Sequence, residues 1–365
     1  MSAPPRNMPR VVPARRGRGF AAAWLLRLVP TALALVAIFA GCRGPQPGEA
    51  TSPVLPGAVE AHEPSPPQQA LAAQGWPRTF TDDLGEQVTL AHPARRVVSV
   101  APNLTEIVYF IGAGDRLVGR TDFCDYPPEV KHKPSIGGVV TPSLEKVLAL
   151  YPDLVLVARG TDLYFIQRLR RQGLPVFASD PKSLDDVFEL ILAIGRMLGQ
   201  DTVAARKVSE LRARVKSMSK EVPIEHPQPR ALAIISLDPV FVAGGGSFLD
   251  DLLRRAGFQN AASEDKPWVQ WGAERILAAD PDLLIYVSQS GDDKEALAAF
   301  LHPPWSGLKA VAESRIYAVR EDLVTIPGPR LVEGLQKLIL IRHQATAALS
   351  FDHQQPGPDE DDDSD

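Results

Sequence analysis

Apolar and polar positions change period along this chain, and the changes mark its elements. Thr79 to Thr81 and Gln87 to Leu90 alternate β-branched or apolar with polar residues on either side of Asp83-Leu84-Gly85, which predicts a small hairpin. Arg96 to Val100 predicts a short buried strand, and Leu104 to Ile111 a helix ended by Gly112 and Gly114. The longest helical period starts at Ser183 with Asp186, a capping-box-like signal. Val187, Leu190, Ile191, Ile194 and Leu198 form one apolar face; after Gly199 it resumes with Ala204, Val208, Leu211, Val215 and Met218, and Pro223 closes it. As a single long backbone helix, about 38 residues would reach on the order of 55 Å, and Gly199 is where it would divide into two. A second set of elements begins after Pro229 with the strand Ala231 to Ile235 and closes near His343.

One pattern occurs twice. Glu145-Lys-Val-Leu-Ala-Leu-Tyr-Pro-Asp-Leu154 and Glu274-Arg-Ile-Leu-Ala-Ala-Asp-Pro-Asp-Leu283 coincide in register. In each, the glutamate opens a short amphipathic helix. Pro152 or Pro281 stops it, because the ring disfavours the α region at the preceding residue. An apolar strand follows, Leu154 to Ala158 or Leu283 to Val287. Strand and helix alternate around both copies, which predicts an α/β fold: two α/β lobes with largely parallel sheets, joined by the long helix. The period is far too long for a solenoid unit. The expected boundaries are an N-terminal lobe over 76–182, the connecting helix over 183–222 and a C-terminal lobe over 223–345.

The two ends differ from this pattern. Arg6, Arg10, Arg15, Arg16, Arg18 and Arg27 occur in the first forty residues without an acid. The uninterrupted apolar run Thr31 to Ala40 suits the core of a signal peptide and is short for a membrane span. It ends in Phe39-Ala40-Gly41-Cys42, which resembles a lipobox with Phe39 in place of the usual leucine. Residues 1–42 are therefore expected to be a lipoprotein signal, with Cys42 acylated and the product anchored by lipid to a membrane of the periplasm or cell envelope. Residues 43–75, rich in Pro, Ala, Gly and Glu, read as a disordered tether. Residues 346–365, nearly all acidic from Asp359 on, read as a tail outside the fold. The formal net charge of −5 counts both ends; with them set aside, no basic field remains for nucleic acid.

Few residues suggest reactive chemistry. Two cysteines, Cys42 and Cys124, make no disulfide framework, and Cys124 reads as a buried or partly buried free thiol. The seven histidines are scattered and no Cys-x-x-Cys occurs, so no dedicated metal site is expected. No Gly-x-Ser-x-Gly elbow is present, and nothing argues for an enzyme. Gly244-Gly245-Gly246-Ser247 lacks the ending of a phosphate-binding loop and reads as a strand-to-helix turn with Ser247 as N-cap. Trp268 and Trp271 flank Gln270 in a loop-like stretch, Lys266 to Gly272. They read either as core aromatics or as flat walls for a large planar ligand. Asp125-Tyr126-Pro127-Pro128 follows the strand-like Leu117 to Thr121, a position where α/β sheets present ligand-binding loops.

Several motifs together carry a family resemblance: Arg95-Arg-Val-Val-Ser-Val-Ala-Pro-Asn-Leu-Thr-Glu106, Cys124-Asp-Tyr-Pro-Pro128, both glutamate repeats, Gly246-Ser-Phe-Leu-Asp250 and Pro329-Arg330. Over about residues 78–343 the chain resembles the helical-backbone substrate-binding proteins of ABC importers for cobalamin, ferric siderophores and haem, most of all the cobalamin-binding members. The resemblance implies a non-enzymatic monomer, without a cofactor of its own. Such a protein encloses a small-molecule metal chelate between two rigid lobes, here a cobalamin-type corrinoid or else a ferric siderophore or haem, and delivers it to a dimeric permease with its ATPase. It implies ligand contacts from Phe123, Trp268 and Asp322, and it places Asp125 and Tyr126 at the same cleft. It also implies that Glu145 and Glu274, one on each lobe, dock into arginine pockets of the permease; their other reading is helix-dipole complementarity. Two pocket positions depart from the family pattern. Val139 stands where a tryptophan is expected, and an arginine near Ile326 is missing.

Overall fold

A computed structural model describes residues 75–223, 227–289 and 294–352, all within one compact unit spanning residues 63–365. Cys42, the signal and tether expectations, and the tail beyond residue 352 lie outside the described residues. The predicted hairpin is present: β1 (Arg78–Thr81) pairs antiparallel with β2 (Gln87–Leu90). Its turn is organised by Asp82, whose buried carboxylate accepts from the backbone N–H of Leu84 and Glu86 and pairs with Arg170 at 2.7 Å.

The first lobe is a four-stranded, all-parallel sheet. Its strands are β3 (Val97–Ser99), β4 (Leu117–Gly119), β5 (Leu154–Ala158) and β6 (Val176–Ser179), in the order β4-β3-β5-β6. Helices α1 (Pro102–Phe110), α2 (Leu144–Ala149) and α3 (Leu163–Arg171) lie in the crossovers. Successive strand residues feed different cores: Val97, Leu154 and Leu156 pack on one side, Val98, Val155 and Val157 on the other. Burial on both faces explains why these strands read as unbroken apolar runs.

The predicted long helix is divided. Helix α4 (Leu184–Met197) starts at Ser183, whose hydroxyl accepts from the Asp186 N–H at 3.1 Å. The chain turns at Gly199, where a φ of +61° suits glycine, and α5 (Asp201–Met218) folds back along α4. Glu189 and Arg212 pair across the two helices at 2.8 Å, and a Cβ at Gly195 would stand 2.4 Å from that of Ala204. Residues 183–222 are thus a helical hairpin and not a continuous rod. The connecting helix is α5, whose 18 residues reach about 27 Å.

The second lobe has a mixed sheet. β7 (Arg230–Leu237) pairs parallel with β9 (Gln259–Asn260) and β11 (Leu283–Ser288), and β11 pairs parallel with β12 (Ile316–Arg320). β8 (Val240–Ala243) and β10 (Trp268–Gln270) extend the other edge antiparallel, so the loop expected over Lys266 to Gly272 contains a strand paired to Phe241–Ala243. The helices are α6 (Phe248–Arg255), α7 (Ala273–Ala279), α8 (Lys294–Ala299), α9 (Lys309–Ala312), α10 (Glu321–Val324) and α11 (Leu331–Asp352). Ala231, Ala233, Leu283 and Ile285 join the core shared with the first lobe, while Leu232, Ile234 and Leu284 face a separate outer core. Helix α11 runs past the expected closure near His343. Its buried Arg342 donates to the Gly257 carbonyl at 3.1 Å and to the Thr346 hydroxyl, and Ala345 is fully buried. The helix therefore takes in residues 346–352 of the expected tail. Among the described residues no helix is long and apolar enough to cross a membrane.

Candidate functional site

A cavity of about 300 Å³ opens between the lobes. The first lobe contributes Ala158, Arg159 and Ser179 to Lys182, at the C-terminal ends of β5 and β6, with Pro102, Asn103 and Val139. The second contributes Gly246 to Phe248, Pro267, Trp268, Thr325 and Pro327. The strand ends of a parallel sheet are where such folds hold ligands. The second wall is built by tight backbone approaches. A Cβ on Gly244 would stand 2.0 Å from the Lys266 carbonyl oxygen, and one on Gly245 would stand 1.9 Å from that of Ser263. Only glycine admits this contact, which lays the segment before Trp268 against the turn before Phe248. Ser247 caps α6 by accepting from the Asp250 N–H at 3.1 Å. Trp268 packs on Phe248 with ring centroids 5.2 Å apart, tilted by 56°, and keeps 38 % of its surface exposed.

Phe123 is 65 % exposed, and its ring lies beside Gly138, next to the cleft-lining Val139. Tyr126 and Asp322 join a second cluster. Arg330, just before α11, donates to both carboxylate oxygens of Glu106 on α1, at 2.6 and 3.0 Å, across 224 residues of sequence. Its remaining Nη donates to Asp322 at 2.5 Å, Arg320 Nε donates to Asp322 at 3.0 Å, and the Tyr126 ring lies 4.1 Å from the guanidinium carbon. This cluster ties the lobes together. Asp125 is exposed beside it.

Burial raises the Glu106 carboxyl above the ordinary glutamate value; Arg330 pulls it back, and the charges of Asp322 and Asp125 push it further up. Burial acts the same way on Asp322, but the hydrogen bonds and charges of Arg320 and Arg330 outweigh it and leave its carboxyl lowered. Burial would lower Arg330; Glu106 and Asp322 reverse this and raise it, so the guanidinium stays charged. The contribution of Asp322 to stability is thus present above the ordinary aspartate range and is lost as pH falls below it.

Glu145 and Glu274 are exposed in the first turns of α2 and α7, and neither makes a hydrogen bond or ion pair among the described residues. Cys124 is a buried free thiol, as expected, with its sulfur 3.1 and 3.2 Å from the Thr105 and Thr121 hydroxyls. Glu106 and Arg330 stand in motifs read from the sequence, but no role was legible for either. An acid among Leu104, Ile107 and Val108 was the available signal.

A two-lobed α/β protein with an open cleft at its strand ends has a ligand-binding architecture. The chain belongs to the periplasmic binding protein family, whose profile matches residues 97–323. It is 32% identical over 270 residues to an uncharacterized ABC transporter substrate-binding lipoprotein of Bacillus subtilis, YvrC, covering 72% of this chain and 84% of that one. It is 28% identical over 299 residues to a cobalamin-binding protein of Halobacterium salinarum, covering 80% of each. Among solved structures, the apo periplasmic heme-binding protein RhuT of Roseiflexus sp. RS-1 superposes with a TM-score of 0.63 at 26% identity, covering 69% of this chain and 99% of that one.

Proposed function

We propose that the chain is the substrate-binding protein of an ABC importer. It works outside the cytoplasmic membrane, captures a cobalamin-type corrinoid between its lobes and presents it to a permease. The observation that carries this reading is the inter-lobe cleft with Trp268, partly exposed and braced on Phe248, in its wall. A flat, apolar, rigidly held ring suits a planar macrocycle. The cavity is at the small end of ligand pockets, roughly 300 to 1,000 Å³, so a corrinoid would stand partly outside it. The Halobacterium relative supports the ligand class, and the Bacillus relative supports the ABC transporter. Phe123 and Trp268 would contact the ring, Tyr126 and Asp322 would hold the lobes that enclose it, and Asp125 would stand at the rim. Glu145 and Glu274 would dock to the permease, and lipid on Cys42 would keep the loaded protein near it. The chain would perform no catalysis.

Haem is the second reading, supported by the Roseiflexus likeness and by Val139, where the cobalamin-binding pattern has a tryptophan. The test is to titrate the full-length chain with cyanocobalamin, haemin and a ferric siderophore, following absorbance-corrected tryptophan fluorescence. Saturable quenching by cyanocobalamin is expected, weakened at least about tenfold by Trp268→Ala. Quenching by haemin alone would move the assignment to the second reading, and no response to any probe would end both.

A further inference from the structure

The charged side chains lining the cleft are Arg159, Asp180 and Lys182, all from the first lobe. Asp180 is anchored at the end of β6, where its N–H donates to Asp83 at 2.5 Å. Its carboxylate accepts from Arg159 Nη1 at 3.1 Å and lies 3.8 Å from Lys182 Nζ. One acid thus lies between two cations; the carboxylates of Asp83 and Asp186, which accept from the backbone N–H of Asp180 and Lys182, are not part of the cleft lining. Among the described residues Arg159 uses only Nη1 in side-chain hydrogen bonding, which leaves Nε and Nη2 as a free donor edge. Both cations remain more than half exposed, at 58% and 60% of the side chain. Across the cleft, Trp268, Thr325 and Pro327 carry no charge.

Given the reading of the cleft as the ligand site, we infer that Arg159 and Lys182 select a ligand bearing an anionic group, a carboxylate or a phosphate, at its edge. The free edge of a guanidinium matches either oxyanion with paired N–H donors, and the neighbouring ammonium adds a point charge. The uncharged opposite wall takes the apolar ring, so the ligand is oriented with its anionic edge toward the first lobe. Asp180 acts as a positioning residue that spaces the two cations and competes with the ligand for them.

The test uses the full-length chain and the double variant Arg159→Ala with Lys182→Ala. Three corrinoids separate the sources of charge: dicyanocobinamide has no anionic side group, cyanocobalamin has a phosphodiester, and cobyrinic acid has carboxylates. The double variant is expected to lose about tenfold or more in affinity for at least one anionic probe, as charge-assisted hydrogen bonds warrant. Dicyanocobinamide should change by less than about twofold. The probe that suffers identifies the anion as phosphate or carboxylate. Asp180→Asn should tighten the same probe severalfold. Equal losses for all three corrinoids, or no loss for any, would overturn the inference while leaving the corrinoid reading in place. Should the wild-type chain bind no corrinoid, that reading falls, and haemin against its dimethyl ester becomes the deciding pair. A loss confined to haemin would uphold the inference; equal affinities, or no binding of either, would sink it.

Discussion

In the first lobe the repeated pattern runs from Glu145 to Leu154, and in the second from Glu274 to Leu283. The aspartates after the prolines do the same work in both. Asp153 accepts from the backbone N–H of Arg95 and Arg96, each at 2.8 Å, and Asp282 accepts from that of Arg230 at 2.7 Å. Each thereby pins the start of a neighbouring strand, β3 or β7. The residues before the prolines, Tyr151 and Asp280, both take positive φ, 45° and 33°. The glutamates that open the two copies are also alike: both lie in a first helical turn, where the helix dipole favours an acid, and both are exposed and unpaired among the described residues. The copies differ at the helix start. Ser143 caps α2 through the Lys146 N–H at 3.2 Å, whereas Gly272 stands at that position in α7 with no side chain to offer. Repetition in this chain therefore has two sources. The Pro-Asp pair repeats because strand and helix must be joined the same way twice, whereas the glutamates gain only about 0.3–1 kcal/mol each from the helix dipole and leave both carboxylates open to solvent.

Changing both glutamates should separate these sources most sharply. With Glu145→Ala and Glu274→Ala, uptake of ligand by cells carrying the cognate permease should fall by about a hundredfold, the size of two lost charge-assisted contacts. Ligand affinity in solution should be unchanged, and stability should move by no more than about 0.5 kcal/mol. Lost ligand binding would remove the docking role. Next in size is the bridge between the lobes. Arg330→Met leaves Glu106 buried without its cation and should cost about 3–5 kcal/mol in urea unfolding; a cost below about 1 kcal/mol would show that the bridge does not hold the lobes. Asp153→Ala and Asp282→Ala should each cost about 1.5–3 kcal/mol, because hydrogen bonds to a charged group are lost. Asp153→Ala should cost more, since two backbone donors lose their partner, and the reverse order would break the proposed equivalence. The smallest effects concern the caps. Ser143→Ala should cost about 1 kcal/mol, and Gly272→Ser should gain a few tenths of that. A cost from Gly272→Ser would mean that the second copy cannot accept the first copy's cap.

Much of the fold was legible because it is local. The hairpin, the strands of both repeats, the Ser183 and Ser247 caps and the duplicated lobes follow from side-chain period and from the backbone limits of proline and glycine. The division at Gly199 was visible as a possibility, but the fold-back was not. It depends on the close approach of Gly195 to Ala204 and on the Glu189–Arg212 pair, which a helical period cannot report. The strand over Trp268–Gln270 was hidden because its three residues pair with a distant edge and show too short an alternation to count.

The site divides in the same way. Sequence alone determined that Trp268 belongs to a distinctive segment, that Glu145 and Glu274 are equivalent, and that Cys124 has no partner cysteine in reach of a pairing argument. Tertiary structure decided that Trp268 leans on Phe248 in a cleft wall, that Tyr126 and Asp322 meet at Arg330, and that Arg159 and Lys182 share Asp180 at the opposite wall. The reason is physical. Periodicity records which face of an element is buried, whereas a charge finds its partner through space, and Glu106 meets Arg330 from 224 residues away in the other lobe.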